Sequence, residues 1–282
     1  MAASTLPAMK TKPKFIFFTD FDGTITLKDS NDYLVSLDFG PTHTSALAQT
    51  DNFGFGWELR RKGNIDILEN RVKFRDAFKE MLDSVKTPFP ECVKALCDNI
   101  KLDPYFKDFY NWTLENNVPV IVLSSGMVDI IRALLVHLVG PTANQIEIIS
   151  NDVQDRPGKT RDQEGGWEIK FHDDSDFGHD KSLAIRPYDK LPAGQRPTLF
   201  YAGDGVSDLS AARETDLLFA KKGHDLVTYC VREGVPFTIF EDWRSILATT
   251  QDVFHGKIDV KKVAAEGLEE YKKGGNEVQT TK

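Results

Sequence analysis

The chain has few cysteines, no long apolar run and no excess of positive charge. Cys92, Cys97 and Cys230 are odd in number and have no metal-type spacing. That usage fits a reduced intracellular compartment, the cytoplasm, rather than a disulfide-stapled secreted domain. Cys92 and Cys97 fall in a helical apolar pattern and read as core residues. No stretch reaches the roughly 18 consecutive apolar residues that a membrane span needs, so no membrane partner is expected. The start, Met1 to Lys12, lacks an apolar signal core and reads as a loose tail. With 35 Lys and Arg against 43 Asp and Glu, the net charge of −8 argues against nucleic acid or an anionic membrane as partner. Any phosphate site must therefore be built locally, against the overall field. Internal repeats and low-complexity tracts are also missing.

What is present is the composition of a soluble globular protein: 40% hydrophobic and 28% charged over 282 residues. That length accommodates one domain with a smaller one inserted. Short apolar runs recur at Phe15–Asp20, Val118–Ser124, Gln145–Ser150, Thr198–Asp204, Asp216–Ala220 and Pro236–Phe240. Helical patterns fall between most of them, at Met127–Leu138, Lys181–Tyr188, Asp208–Glu214, Asp225–Glu233 and Trp243–Val253. Strands with little polar alternation, separated by helices, predict an α/β fold with a doubly wound parallel sheet. Ligands of such sheets bind at the carboxyl ends of the strands.

One interval breaks the alternation. About a hundred residues lie between Asp20 and Ser124, and their apolar positions repeat at helical spacing. Pro88 and Pro90 mark a break between those helices. The spacing predicts a helical cap over 31–109, inserted into a catalytic core of 14–30 and 110–255, after a flexible tail at 1–13. Gln163-Glu164-Gly165-Gly166 separates two segments that read as a hairpin. Beyond 256 a single amphipathic helix, stopped by Gly274-Gly275, leads into a tail.

Chemistry concentrates at four places. Asp20-Phe21-Asp22-Gly23-Thr24 closes the first apolar run with two carboxylates two residues apart. In an extended segment both point to one side, where they repel unless a cation intervenes. The pair suits a nucleophile and its acid/base partner around Mg²⁺; a plain Asp-Gly turn is the alternative. Ser124-Ser125-Gly126 ends another buried strand and presents backbone N–H groups to an anion, although by itself either serine reads as a helix cap. In Gly178-His179-Asp180-Lys181, Asp180 makes an N-cap and places Lys181 in the first helical turn. A cation there costs about 0.3–1 kcal/mol against the helix dipole. A phosphate or an acidic cluster would offset that, and a solvated lysine is the bland reading. His179 reads as a structural or rim residue rather than a proton carrier, since two carboxylates already cover that task. Gly203-Asp204-Gly205-Val206-Ser207-Asp208 brings a third strand-end acid, with glycines permitting close backbone approach and Asp208 either capping the next helix or joining the cluster. Four carboxylates converging in this way favour a bound hard cation with oxygen ligands, Mg²⁺.

These motifs, in this order, resemble the phosphatase branch of the haloacid dehalogenase superfamily. Phe18–Tyr33, Thr87–Cys92, Val118–Met127, Phe177–Ser182 and Gly203–Ala212 are similar to the phosphoserine phosphatase-like members, and most similar to the fungal polyol phosphate phosphatases. The likeness implies that Asp20 attacks phosphorus and forms an aspartyl phosphate, while Asp22 serves as acid and then base. It implies Mg²⁺ held by Asp20, Asp22 through its backbone carbonyl, and Asp204, with Asp208 supporting the metal or Lys181. Ser124, Ser125, Gly126 and Lys181 are implied to hold the phosphoryl oxygens of a small phosphorylated metabolite.

For specificity the resemblance points to Asp29, Arg75 and Met81. Asp29 stands where phosphoserine phosphatases carry an acid for the substrate ammonium. Met81 stands, counting from Phe74 without gaps, where those enzymes place an arginine for the serine carboxylate. A methionine cannot pair with a carboxylate, so sugar alcohol phosphates are expected over phosphoserine, with Arg75 able to offset the loss. Trp57, Arg60 and Arg61 could reach the site from the cap, but read rather as a solvated helix face. A phosphoserine phosphatase, a phosphosugar mutase and a non-catalytic sensor are the alternative readings; the motifs leave the oligomeric state open.

Overall fold

A computed structural model of the protein describes residues 6–36, 53–69 and 71–273. In chain order its elements begin with β1 (Phe15–Thr19), α1 (Ser30–Ser36), α2 (Trp57–Leu68), α3 (Phe74–Asp83), α4 (Phe89–Asn99) and α5 (Phe106–Glu115). There follow β2 (Val120–Met127), α6 (Val128–Leu138), β3 (Glu147–Asp155), β4 (Trp167–Lys170), α7 (Lys181–Asp189) and β5 (Thr198–Gly203). The chain closes with β6 (Leu217–Lys221), α8 (Asp225–Glu233), β7 (Thr238–Phe240), α9 (Trp243–Phe254) and α10 (Val260–Lys273). Packing divides it into two compact units. The first comprises Met1–Ile25, Leu102–Leu123 and Asp180–Lys282; the second comprises Thr26–Lys101 and Ser124–His179.

In the first unit five strands pair in parallel, β2-β1-β5-β6-β7, with Thr19 level with Val122 on one side and Ala202 on the other. Their carboxyl ends consequently share one edge. β1 explains why the sheet is covered twice. Successive residues of a strand face opposite sides, and both Phe17 and Phe18 are fully buried. Phe17 meets Phe109 of α5 at 4.8 Å and Trp243 of α9 at 5.7 Å between ring centroids, while Phe18 meets Tyr188 of α7 at 5.5 Å. The expected doubly wound α/β sheet is the observed one.

The second unit contains α1 to α4, α6 and an antiparallel pair, β3 and β4, with Asp152 opposite Lys170 and Asp155 opposite Trp167. The expected hairpin is thus present. Trp167 ties it to the helices: its indole N–H donates to the Thr87 carbonyl at 2.9 Å and its ring lies 5.4 Å from that of Phe89. Arg156 adds an ion pair to Asp83 at 2.5 Å. These bonds are why packing groups 124–179 with the helical segment, whereas the sequence pattern divides the chain by intervals.

Three details differ from the sequence reading. Residues 6–12 are not loose, because Pro7–Thr11 forms a 3-10 turn that buries Ala8 and Met9. No α-helix covers Asp208–Glu214; a 3-10 turn at Val206–Asp208 runs into irregular turns. Arg60 is not a solvated residue, being 8% exposed and paired with Asp32, while Trp57 is 51% exposed. Residues 1–5 of the expected tail and the Gly274-Gly275 stop lie outside the described residues. Among the described residues no helix is long and apolar enough to cross a membrane.

Candidate active site

The carboxyl edge of the first unit collects charge that hydrophobic burial would normally exclude. Asp20 follows β1 directly, and its N–H donates to the Ala202 carbonyl at 2.8 Å, which continues the ladder one residue past the strand. The chain then leaves the extended path: Thr24 and Ile25 both donate to the Phe21 carbonyl, and Gly23 adopts φ +73°. Lys221 of β6 donates to the Gly23 carbonyl. Asp22 is 7% exposed within that turn.

Lys181 is the first residue of α7, and its neighbour Asp180 is the N-cap, accepting from the Ser182 N–H at 3.0 Å. The lysine is fully buried. Its Nζ lies 2.7 Å from Asp20 Oδ1, 2.7 Å from Asp208 Oδ1 and 3.3 Å from Ser207 Oγ. Two carboxylates thus compensate the unfavourable helix-terminal position. Burial pulls the ammonium down, but Asp20 and Asp208 outweigh it and hold the group above its ordinary value.

Asp208 is buried with every face of its carboxylate in use. Oδ1 accepts from Lys181 and the Tyr201 hydroxyl; Oδ2 accepts from the N–H groups of Asp204 and Gly205 at 2.9 Å each. Gly203 makes room for it, since a Cβ there would stand 2.5 Å from Asp208 Oδ2. Gly205 has no such constraint, with nothing within 4 Å of a Cβ. Of the two flanking glycines, only the first carries the close approach.

Asp20, Asp204 and Asp208 each offer an oxygen within 4.8 Å of the others. Asp22 lies outside that group, so three of the four expected carboxylates converge. Burial pushes the Asp20 carboxyl well above its usual range; Lys181 pulls it down, and Asp208 and Asp204 raise it. Burial likewise raises Asp204, against a hydrogen bond from His224, whose Nδ1 is 3.1 Å from Asp204 Oδ2. Lys181 pairs with two of the three carboxylates, and the remaining negative charge with hard oxygen donors is chemistry that fits Mg²⁺.

Gly23 adds a steric reason for its own identity. A Cβ on it would stand 2.3 Å from Asp204 Oδ2. Alanine at Gly23 also strains a positive φ, so Gly23→Ala should destabilise the fold by about 1–3 kcal/mol and displace Asp204. A melting curve unchanged from that of the wild type would refute this account.

The other expected site residues belong to the second unit. Neither Ser124 nor Ser125 caps α6, which begins after Met127 without a side-chain cap. Ser124 Oγ instead accepts from the Gly126 N–H at 3.0 Å, and its carbonyl bonds His179 Nδ1 at 2.9 Å. His179 is 1% exposed and packs on His172. Asn151 and Ser150 donate to the carbonyls of Ser125 and Gly126, so this turn is fixed through its backbone. Ser125 Oγ is buried with no partner among the described residues. Asp29 Oδ1 accepts from the N–H groups of Asn31 and Asp32 at the start of α1. Arg75 stacks its guanidinium 4.5 Å from the Phe171 ring and donates to the Asp173 carbonyl at 2.7 Å. Met81 is 1% exposed.

Sequence reasoning missed Tyr201, Lys221 and His224. Tyr201 sits inside an apolar strand run and Lys221 directly after one, where nothing marks either as a polar anchor. His224 follows a glycine beyond the last recognised motif.

A polyol phosphate phosphatase of Saccharomyces cerevisiae is 50% identical over 251 residues, covering 86% of this chain and 95% of that protein. A Schizosaccharomyces pombe protein, Pdp3-interacting factor 1, is 48% identical over 87% of this chain and 99% of its own. In three dimensions a substrate-bound phosphoserine phosphatase superposes with a TM-score of 0.57 at 16% identity, over 84% of this chain and 98% of that one, which shows the shared fold. The sequence profile of the haloacid dehalogenase-like hydrolases matches residues 17–213, which include Asp20, Asp22, Lys181, Asp204 and Asp208. The chain belongs to the haloacid dehalogenase-like hydrolases and is a phosphatase of that family.

Proposed function

We propose that the protein hydrolyses small sugar alcohol phosphates through an aspartyl phosphate on Asp20. The observation that carries this reading is the buried Lys181, 2.7 Å from both Asp20 and Asp208 at the carboxyl end of β1. A lysine held there keeps Asp20 oriented and offers positive charge to phosphoryl oxygens. In the first step an Asp20 oxygen bonds to phosphorus and the ester P–O bond breaks. Asp22 gives the departing alkoxide its proton. In the second step water attacks the acyl phosphate, Asp22 takes the water's proton, and Asp20 leaves as a carboxylate with inorganic phosphate released. Asp20, Asp204 and the Asp22 backbone carbonyl would hold Mg²⁺, which shields the phosphoryl charge when bound. We assign Asp208 to anchoring, because all its acceptor positions are already taken. Ser124, Ser125 and Gly126 are assigned to the phosphate from the likeness of their sequence motif to that of the family.

The substrate class rests on the yeast relative and on two residues of the second unit. Arg75 is engaged by Phe171 and Asp173, and Met81 offers no cation, so neither supplies the partner that a serine carboxylate needs. Phosphate release should be metal-dependent, led by sorbitol, ribitol or erythritol phosphate, and weak on phosphoserine. Measuring it on a panel with Mg²⁺ and with EDTA tests both halves. Turnover led by phosphoserine would overturn the substrate, and turnover surviving EDTA would overturn the metal. Dependence on glucose bisphosphate would indicate a mutase instead.

A further inference from the structure

Two of the carboxylates in the cluster are held very differently. Asp208 accepts four hydrogen bonds, whereas Asp204 has one side-chain partner among the described residues, the His224 ring. Asp204 is nevertheless the carboxylate that must meet a cation in a fixed orientation, and its side chain is 16% exposed to water. An unfixed carboxylate would lose rotamer freedom on binding, which weakens affinity.

The connection from β6 to α8 supplies the missing restraint. At one end Lys221 donates to the Gly23 carbonyl. At the other, His224, the N-cap residue of α8, contacts Asp204 Oδ2, and the Leu226 N–H donates to the Asp204 carbonyl at 3.0 Å. Gly23 closes the opposite wall, since even a methyl group there would reach within 2.3 Å of the same Oδ2. Asp204 Oδ2 therefore sits in a slot between the Gly23 backbone and the His224 ring, and one short connection ties both walls. The His224 contact takes one acceptor position of Oδ2 and leaves Oδ1 open to a ligand. The contact requires the proton on Nδ1, which makes His224 a donor to the carboxylate, the arrangement by which outer groups orient metal ligands.

We infer that Lys221 and His224 are positioning residues that preset Asp204 and the Gly23 turn for a divalent cation. The inference rests on the metal-dependent reading above. Neither residue needs to touch substrate or metal for this role, and its signature is in metal affinity.

The test is a titration of the metal-free protein with Mg²⁺, followed by thermal shift and by calorimetry, for wild type, His224→Ala, His224→Asn and Lys221→Met. Removing such an outer partner should raise the half-saturating Mg²⁺ concentration by about 10- to 100-fold in His224→Ala and Lys221→Met. His224→Asn should return close to wild type, because the asparagine amide places an N–H near the position of Nδ1. Wild-type affinity in His224→Ala would overturn the inference. So would an asparagine variant as weak as the alanine one, since then bulk rather than the hydrogen bond matters. A wild-type protein that shows no Mg²⁺-dependent shift would overturn the metal reading itself, which separates that failure from failure of the brace. Melting of His224→Ala without Mg²⁺ within a few degrees of wild type is expected for a side chain 43% exposed, and it shows that the variant is folded.

Discussion

Asn in place of Asp20 will lower phosphate release by about 10⁴-fold or more, the scale on which hydrolases lose activity when a covalent nucleophile is removed. The substitution changes almost nothing else. Asparagine keeps an oxygen for the Lys181 ammonium, which lies 2.7 Å from Asp20 Oδ1, and fills the same buried volume. It removes one negative charge from a group of three carboxylates, two of which share the buried Lys181. The metal-free variant should therefore melt at or above the wild-type temperature while being inactive, the trade of stability against function seen at strained sites. Phosphate release on the best substrate and a melting curve in EDTA read the two effects separately. Retained activity would remove Asp20 as nucleophile. An inactive variant that melts far below wild type would show that the carboxylate is needed to hold the fold, which the charge argument excludes.

Much of this was legible because strand-end charge is costly and therefore conspicuous. Phe15-Ile16-Phe17-Phe18 predicts a buried strand, and Asp20 after it has no apolar explanation. The same contrast marked Asp204 after Thr198–Tyr201, and Asp180 read correctly as an N-cap because that role is written in one residue. For Asp208 the motif allowed support of Lys181, which the structure shows, but the full set of its partners was not legible. Its sequence context fits a helix cap, but its four acceptor bonds come from Lys181, Tyr201, Asp204 and Gly205, and the first of these is 27 residues away. Those bonds hold the turn at Val206–Asp208 in a 3-10 form and replace the expected helix. For the same reason the helix cap that Ser124 or Ser125 suggests when read alone is not what forms. A cap is a local pattern, whereas the bonds that fix this turn come from Ser150, Asn151 and His179. Boundaries suffered too: the hairpin of β3 and β4 packs with helices some seventy residues earlier through Trp167 and Arg156, and no periodicity reports that.

Lys181→Met will be the most destabilising single change at the site as well as a catalytically damaging one. The lysine and Asp208 are both fully buried, and Asp20 is nearly so. Removing one partner of a buried ion pair costs about 3–5 kcal/mol, because the remaining charges lose their compensation without regaining water. For a chain of this size that corresponds to a fall in melting temperature on the order of 10 °C. The loss is concentrated on Asp208, whose Oδ1 then keeps only the Tyr201 hydroxyl, and on Asp20, already pushed toward protonation by burial. Asp208→Asn should be costly by a different route. An amide must turn its NH₂ either toward the N–H groups of Asp204 and Gly205 or toward Lys181, and both place donor against donor. Combining the two substitutions removes the charge conflict that each creates alone. The double variant should therefore lose less stability than the sum of the single ones, with a coupling of about 1–3 kcal/mol. Urea melts of the four proteins in EDTA measure that coupling free of metal and substrate. A Lys181→Met protein as stable as wild type, or strictly additive losses, would mean that the lysine is solvated in solution and that the acidic cluster tolerates its own charge. The anchoring role given to Asp208 would then have no support.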